Sequence, residues 1–167
     1  SDGCSSYLAL QLAAACVGTL GLIDFDRVEL SNLHRQIIYR TPDLGQAKVR
    51  AAARRLAAVN PAVSLRCFDE ELSTDNLFAI FRDFDFVIDA TDRIGAKYLV
   101  NDGAVLCRIP FSHGGIVGFQ GQTMTVLPGR SACFRCLFPT PPPIGEVATC
   151  QEAGVLGALG GRSESTR

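Results

Sequence analysis

Helical and strand patterns alternate along the first two thirds of the chain. The predicted helices cover residues 7–15, 46–59 and 94–107, with a short one ending near residue 81 after the cap Ser73-Thr74-Asp75. The predicted strands cover residues 20–23, 63–67 and 86–89. Strands 20–23 and 86–89 are continuously apolar, which is typical of strands buried on both faces of a parallel sheet. The alternation predicts an α/β, Rossmann-like doubly wound fold with a mostly parallel sheet.

The pattern changes after about residue 110. Two β-like segments, 111–117 and 122–127, are separated by a Gly-rich turn, so we expect a mixed β extension of the sheet. A doubly wound sheet normally opens with a strand that leads into a Gly-rich loop and a helix. Here a helix is nearly the first element, so we expect the opening strand and the start of that loop to be absent. We expect one domain over residues 1–160 and a flexible tail over residues 161–167.

Composition narrows the class of protein. Sixteen basic and seventeen acidic residues give a net charge of −1, which excludes nucleic-acid or membrane binding through bulk charge. No apolar run approaches the roughly 18 residues of a membrane span, and the first residues do not resemble a signal peptide. Seven irregularly spaced cysteines favour metal binding, thiol chemistry or burial over a disulfide framework. We therefore expect a cytoplasmic protein with reduced cysteines.

One residue pair has the spacing of a nucleotide site. Gly3 precedes the first predicted helix, and Asp24 ends the next strand 21 residues later. A glycine turn and helix N-terminus would hold phosphate, and the carboxylate would bind ribose hydroxyls. Because Gly3 is the only glycine of such a turn present, Asp24 could equally be a carboxylate that merely ends a strand.

A second group could bind phosphate. It comprises Asp26, Asn32, Arg35 and Lys48, of which Arg35 and Lys48 are the cations nearest in sequence to the expected phosphate position. A lysine near the start of a helix opposes the helix dipole and favours an external anion. The alternative is that both cations are solvated surface charges.

Two carboxylates follow the strand at residues 86–89. Asp89 and Asp92 lie where open α/β sheets bind ligands, and they could hold magnesium through one or two oxygens. The alternative is that Asp92 caps the helix that follows.

The cysteines and histidines suggest further chemistry. Cys133 and Cys136 form a CxxC motif, which supplies half of a tetrahedral zinc site or else two free thiols beside a turn. Cys150 lies near glycines in a loop, where a thiolate could attack an acyl group. His113 falls in a strand-like segment and could lie near a bound ligand, although such a histidine is more often satisfied inside the sheet.

Seven motifs together resemble the ThiF/MoeB/HesA family of ubiquitin-activating-type adenylyltransferases. They occur in family order and with family-like spacing between about residue 3 and residue 160. The matching stretches are Leu22-Ile23-Asp24-Phe25-Asp26, Ser31-Asn32-Leu33-His34-Arg35-Gln36, Gly45-Gln46-Ala47-Lys48, Asp89-Ala90-Thr91-Asp92, Gly121-Gln122, Cys133-Phe134-Arg135-Cys136-Leu137-Phe138-Pro139 and Thr149-Cys150-Gln151-Glu152-Ala153-Gly154-Val155.

The resemblance implies an activity. Members use ATP and magnesium to adenylate the C-terminal glycine of a small ubiquitin-like protein, which in bacteria is usually a sulfur carrier for molybdopterin or thiamin synthesis. The resemblance also implies a homodimer and a structural zinc ion held in part by Cys133 and Cys136. It leaves open whether Cys150 forms a covalent bond.

The resemblance also assigns roles to individual residues. Asp24 would bind the ribose, and Gly3 would be the last glycine retained from the phosphate loop. Asp92 would bind magnesium and assist attack on the α-phosphorus. The phosphates would be held by Asn32, Arg35 and Lys48.

Two alternatives to this activity remain. Asp2 and Ser5 stand where the phosphate loop has glycines, and an aspartate there repels ATP. This favours a non-catalytic scaffold half of an activating-enzyme complex. An NAD-dependent oxidoreductase is supported only by the spacing from Gly3 to Asp24, which leaves the phosphate-binding cations unexplained.

Overall fold

The computed structural model describes residues 3–117 and 120–142. These residues fall into two compact units that divide between Glu71 and Leu72. No helix in the described ranges is long and apolar enough to cross a bilayer.

The first unit is built from two helices and two parallel strands. Its elements are α1 (Gly3–Ala14), β1 (Thr19–Ile23), α2 (Lys48–Val59) and β2 (Ser64–Phe68). β1 and β2 pair in parallel with Leu20 opposite Leu65, and Ala13, Ile38, Ala52 and Leu56 form a buried core. α1 begins four residues earlier than the sequence predicts, because its Gly-Cys-Ser-Ser start joins the first helical turn.

The long connection from β1 to α2 is anchored at both ends. Short 3₁₀ turns cover Leu30–Asn32 and Thr41–Asp43. Arg27 bridges to Ala47, and the Lys48 backbone N–H donates to the Asp26 carbonyl at 3.0 Å. This closure brings the start of α2 beside the end of β1.

The second unit combines a three-stranded sheet with three helices. Its elements are α3 (Leu77–Phe81), β3 (Val87–Asp89), α4 (Ile94–Cys107), β4 (Phe111–Val117), β5 (Gln120–Val126) and α5 (Phe134–Leu137). β3 pairs with β4 in parallel, whereas β4 pairs with β5 in the antiparallel sense. The antiparallel strand confirms the mixed β extension expected after residue 110.

Ser73 begins the helical turn that leads into α3, as predicted: its hydroxyl accepts the Asp75 N–H and its carbonyl accepts the Leu77 N–H. α3 itself begins after Asn76. The continuously apolar strands are less buried than predicted, since Phe86 and Ile88 are 45% and 39% exposed. In the described sheets β1 and β3 are edge strands, each paired on one side only.

Gly103 provides a packing prediction for α4. A Cβ built at Gly103 would lie 2.5 Å from both Leu77 methyl carbons, whereas one at Gly95 meets nothing within 4 Å. Overpacking a buried contact costs about 1–3 kcal/mol, while replacing glycine in a helix gains up to about 1 kcal/mol. Gly103→Ala is therefore expected to lower the free energy of unfolding by about 1 kcal/mol, and Gly95→Ala to raise it. Urea denaturation of both variants checks this, and equal effects would contradict it.

Candidate functional site

A charged cluster lies at the carboxyl end of β1. The Lys48 ammonium is 2.8 Å from an Asp26 carboxylate oxygen, and the Lys48 side chain is only 4% exposed. Asp24, the first residue after β1, accepts the Asp26 N–H at 2.9 Å. Burial of Lys48 contradicts the alternative that it is a solvated surface charge. The ion pair offsets the cost of placing a cation at the first residue of a helix.

Tyr39 belongs to the same cluster, although the sequence analysis did not single it out. Burial raises the pKa of its phenol well above the usual value, and the nearby carboxylates of Asp24, Asp26 and Asp43 raise that pKa further. The phenol therefore stays protonated and can donate a hydrogen bond. Its only sequence signal is an aromatic residue in a polar connection, which is too common to identify a site.

Asn32 and Arg35 lie on the connection between β1 and α2. Asn32 is buried in the first 3₁₀ turn, and its carbonyl accepts the backbone N–H of Arg35. The Arg35 guanidinium is half-buried and donates to the Ser31 carbonyl at 3.0 Å. In the described ranges no carboxylate pairs with Arg35. Its remaining donors are free to bind an anion.

The second unit contains the other predicted acidic group. Asp89 ends β3 and is buried, with a side chain that is 1% exposed. One carboxylate oxygen accepts the Thr91 N–H at 2.8 Å, and the other lies 3.3 Å from the Lys97 ammonium. Both oxygens are thus already engaged within the protein, which favours Asp92 over Asp89 as the magnesium ligand of this pair.

Asp92 is placed differently from Asp89. Its side chain is half-buried and has no hydrogen bond or ion pair to any residue in the described ranges. Arg93, not Asp92, occupies the N-cap position of α4, and no side-chain cap bond is made there. The alternative that Asp92 caps α4 is therefore wrong. A hard oxygen donor remains available at the carboxyl end of a strand.

His113 lies in β4 directly opposite Asp89 in the strand register. It is buried and packs edge-on against Phe134, with ring centroids 4.7 Å apart. Neither ring nitrogen has a hydrogen-bond partner among the described residues. The expectation that His113 is satisfied inside the sheet is therefore wrong, because β-ladder bonds use the backbone and leave the imidazole unpaired.

The His113 environment predicts a dependence of stability on pH. Burial lowers the pKa of the imidazole, and the Lys97 charge lowers it further, although Asp89 opposes this. Below about pH 6.5 the His113 imidazole is protonated in the unfolded chain but stays neutral in the folded chain. The free energy of unfolding therefore falls as the pH falls. The slope reaches at most about 1.4 kcal/mol per pH unit. Denaturation between pH 7 and 5 should show that His113→Leu reduces this slope, and an unchanged slope in that variant would contradict the prediction.

The CxxC cysteines lie at the start of α5. Cys133 is the N-cap residue, and its sulfur is 3.6 Å from that of Cys136. Burial raises the pKa of the Cys133 thiol, but hydrogen bonds from Cys136, Arg135 and Asn101 together outweigh this and lower that pKa overall. Tetrahedral zinc with Zn–S bonds near 2.3 Å separates two sulfurs by about 3.8 Å, so the pair fits half of such a site. In the described ranges no group of three or more metal-ligating residues occurs.

Polar contacts hold α5 against α4. The Arg135 guanidinium makes two 2.7 Å hydrogen bonds to the Asp102 carboxylate and stacks over Tyr98. The Asn101 side-chain oxygen accepts the Phe134 N–H at 2.9 Å.

The structure brings together some of the predicted residues. In the first unit Asp24, Asp26 and Lys48 share one cluster, with Asn32 and Arg35 on the same connection. Gly3 is the first residue of α1. Cys150 lies outside the described residues, as does the tail predicted over 161–167, and both remain predictions.

Comparison with known proteins assigns the family. Residues 3–161 match the model of the ThiF family. The sulfur carrier protein adenylyltransferase of Thermus thermophilus is 46% identical over 153 residues, which are 89% of this chain and 56% of that protein. The adenylyltransferase and sulfurtransferase MOCS3-1 of Zea mays is 42% identical over 161 residues, which are 96% of this chain and 34% of that protein. The chain belongs to the ThiF family.

A solved structure agrees with this assignment. The crystal structure of PaaA matches with a TM-score of 0.75 at 32% identity, covering 97% of this chain and 51% of that one. The predicted Rossmann-like α/β class is confirmed. The chain spans roughly half or less of the length of the relatives that it matches.

Proposed function

We propose that this protein adenylates the C-terminal glycine of a small ubiquitin-like sulfur carrier, using ATP. The observation that carries the proposal is the buried Lys48 ammonium at the first residue of α2. Among the described residues the ammonium binds only the Asp26 carboxylate, which uses one of its three N–H donors. The remaining donors, together with the helix N-terminus, favour an anion such as a phosphate. The names of the similar adenylyltransferases support the same activity.

The reaction requires positioning and charge neutralisation. A carrier carboxylate oxygen attacks the α-phosphorus of ATP, an acyl–adenylate bond forms, and the bond to pyrophosphate breaks. Both reactants are anionic, so the cations Arg35 and Lys48 would neutralise charge on the phosphates as the carboxylate approaches. Asp24 would accept hydrogen bonds from the ribose hydroxyls.

Two metals are part of the proposal. The Asp92 carboxylate, which has no partner among the described residues, fits magnesium, which takes one or two carboxylates and completes its shell with phosphate oxygens and water. Bound magnesium would neutralise phosphate charge. Cys133 and Cys136 would supply two of the four ligands of a structural zinc ion, and the other two would come from outside the described residues.

The finer assignments rest on the family resemblance. We propose a molybdopterin- or thiamin-type carrier and a homodimeric enzyme. Cys150 would serve as a thiol nucleophile toward the acyl-adenylate, and a Cys150→Ala variant that keeps full sulfur transfer would remove it from this role.

ATP–pyrophosphate exchange by the complete protein tests the proposed function. We expect exchange with a carrier that ends in Gly-Gly and none with the same carrier shortened by its last glycine. ATP binding without exchange would instead support the scaffold alternative. Binding of NADH but not of ATP would contradict both.

A further inference from the structure

The loop that presents Asp92 is fastened at both ends. At its start, the Asp89 carboxylate accepts the Thr91 N–H at 2.8 Å, which closes an Asx turn immediately before Asp92. At its end, Lys97 reaches back from α4 and places its ammonium 3.3 Å from Asp89 and 2.8 Å from the Gly114 carbonyl. Lys97 thereby ties α4 to β3 and β4. Residues 90–93 bridge two fixed points.

The same contacts give the two acidic residues that follow β3 different surroundings. Asp89 is 1% exposed and paired with a lysine that is 11% exposed, so breaking this pair would leave a buried charge. Asp92, three residues on, keeps its carboxylate free of described partners. The Asp89 carboxylate therefore fixes the conformation of the loop, and the Asp92 carboxylate remains available to a ligand.

We propose that Asp89 is a positioning residue for Asp92, and that Lys97 is the counter-charge that holds Asp89 in place. The proposal rests on the proposed function in assigning a cation to Asp92. Residues that orient a metal ligand without touching the metal typically change metal affinity about 10–100-fold when they are replaced. We expect replacement of Asp89 to weaken cation binding at Asp92 within this range.

A matched pair of double variants separates the effect of the turn at Asp89 from the effect of the ion pair with Lys97. Asp89→Asn/Lys97→Gln and Asp89→Ala/Lys97→Gln both lack the buried ion pair. They differ only in the side-chain oxygen and amide at residue 89, of which the oxygen can accept the Thr91 N–H. Any difference between them therefore reports on the turn and not on the lost charges.

Amide hydrogen exchange without nucleotide or metal gives the first readout. We expect the Thr91 amide to stay protected in the asparagine double variant and to exchange at least about tenfold faster in the alanine one. A Mn²⁺ titration in the presence of ATP, followed by paramagnetic broadening of the Thr91 and Arg93 amide signals, gives the second. It should show about 10–100-fold weaker binding in the alanine variant.

The Mg²⁺ dependence of ATP–pyrophosphate exchange gives the third readout. The Mg²⁺ concentration for half-maximal ATP–pyrophosphate exchange should rise about tenfold or more in the alanine variant, with the rate recovering at saturating Mg²⁺. The KM for the carrier should not change. Equal amide exchange and equal metal dependence in the two double variants would overturn the proposal.

Two further outcomes keep the tests separate. If the double variants do not fold, Asp89→Glu keeps the charge beside Lys97 but displaces the acceptor, and an unchanged metal requirement in that variant would overturn the proposal. Suppose that the wild type shows no ATP–pyrophosphate exchange but does show Mn²⁺ broadening, and that Mn²⁺ binds more weakly to the alanine double variant. The proposed function then fails and the positioning role stands. Absence of broadening in the wild type would overturn the positioning role.

Discussion

Asp92→Asn is expected to lower carrier-dependent ATP–pyrophosphate exchange by about a thousandfold, the upper end for loss of one charge-stabilising group. The substitution keeps the size and hydrogen-bonding shape of the side chain but removes the negative charge that would attract a divalent cation. Because Asp92 has no partner among the described residues, the free energy of unfolding should stay within about 0.5 kcal/mol of wild type.

The control for Asp92 is Asp85→Asn, at an exposed residue shortly before β3. It removes the same charge from the same unit and should leave exchange unchanged. Exchange within threefold of wild type in Asp92→Asn, or an equal loss in both variants, would contradict the assignment of a cation to Asp92.

Lys48→Met should lower exchange about a hundred- to a thousandfold. Methionine fills much of the space of the lysine stem, so packing is largely kept while the ammonium is lost. Asp26 is 39% exposed and can be hydrated once its partner is gone, which limits the loss of stability. The KM for ATP should rise, because the buried cation would contact phosphate in the ground state as well as in the transition state.

The matched control for Lys48 is Arg50→Met on the same helix. Arg50 is 73% exposed and 3.7 Å from Asp69, a contact of the kind that contributes little to stability. Comparing the KM for ATP and the melting temperature of the two variants separates loss of a phosphate contact from loss of helix charge. An unchanged KM in Lys48→Met would remove Lys48 from the nucleotide site.

Local sequence patterns predicted where most helices and strands lie, but they could not predict what packs against them. The periodicity of α2 and the apolar run of β1 depend on nearby residues, so their positions agree with the structure within a few residues. The exposure of Ile88 depends on what packs against its face of the sheet, and no pattern within β3 carries that information. The start of α1 was misplaced because serines near a helix N-terminus are equally compatible with a cap or a loop.

In the candidate site, too, local motifs were predictable and contacts set by the tertiary fold were not. Asp24, Lys48 and Asp92 were identified because they fall in recognisable motifs. The contribution of Lys97 depends on a contact with Asp89 eight residues earlier and with Gly114 seventeen residues later. The unsatisfied imidazole of His113 likewise depends on packing against Phe134. Contacts across that separation are set by the tertiary fold, so the sequence alone could not reveal either.

The contacts that hold α5 against α4 have a consequence for metal binding. Since Arg135 and the Phe134 backbone are fixed to Asp102 and Asn101 by protein groups alone, the two thiols are preorganised before any ion arrives. In small zinc modules the metal drives folding itself, whereas here it would join two sulfurs already at coordination distance from one another. Chelation should therefore strip an ion from Cys133 and Cys136 without melting α5, and re-addition should restore binding without a refolding delay.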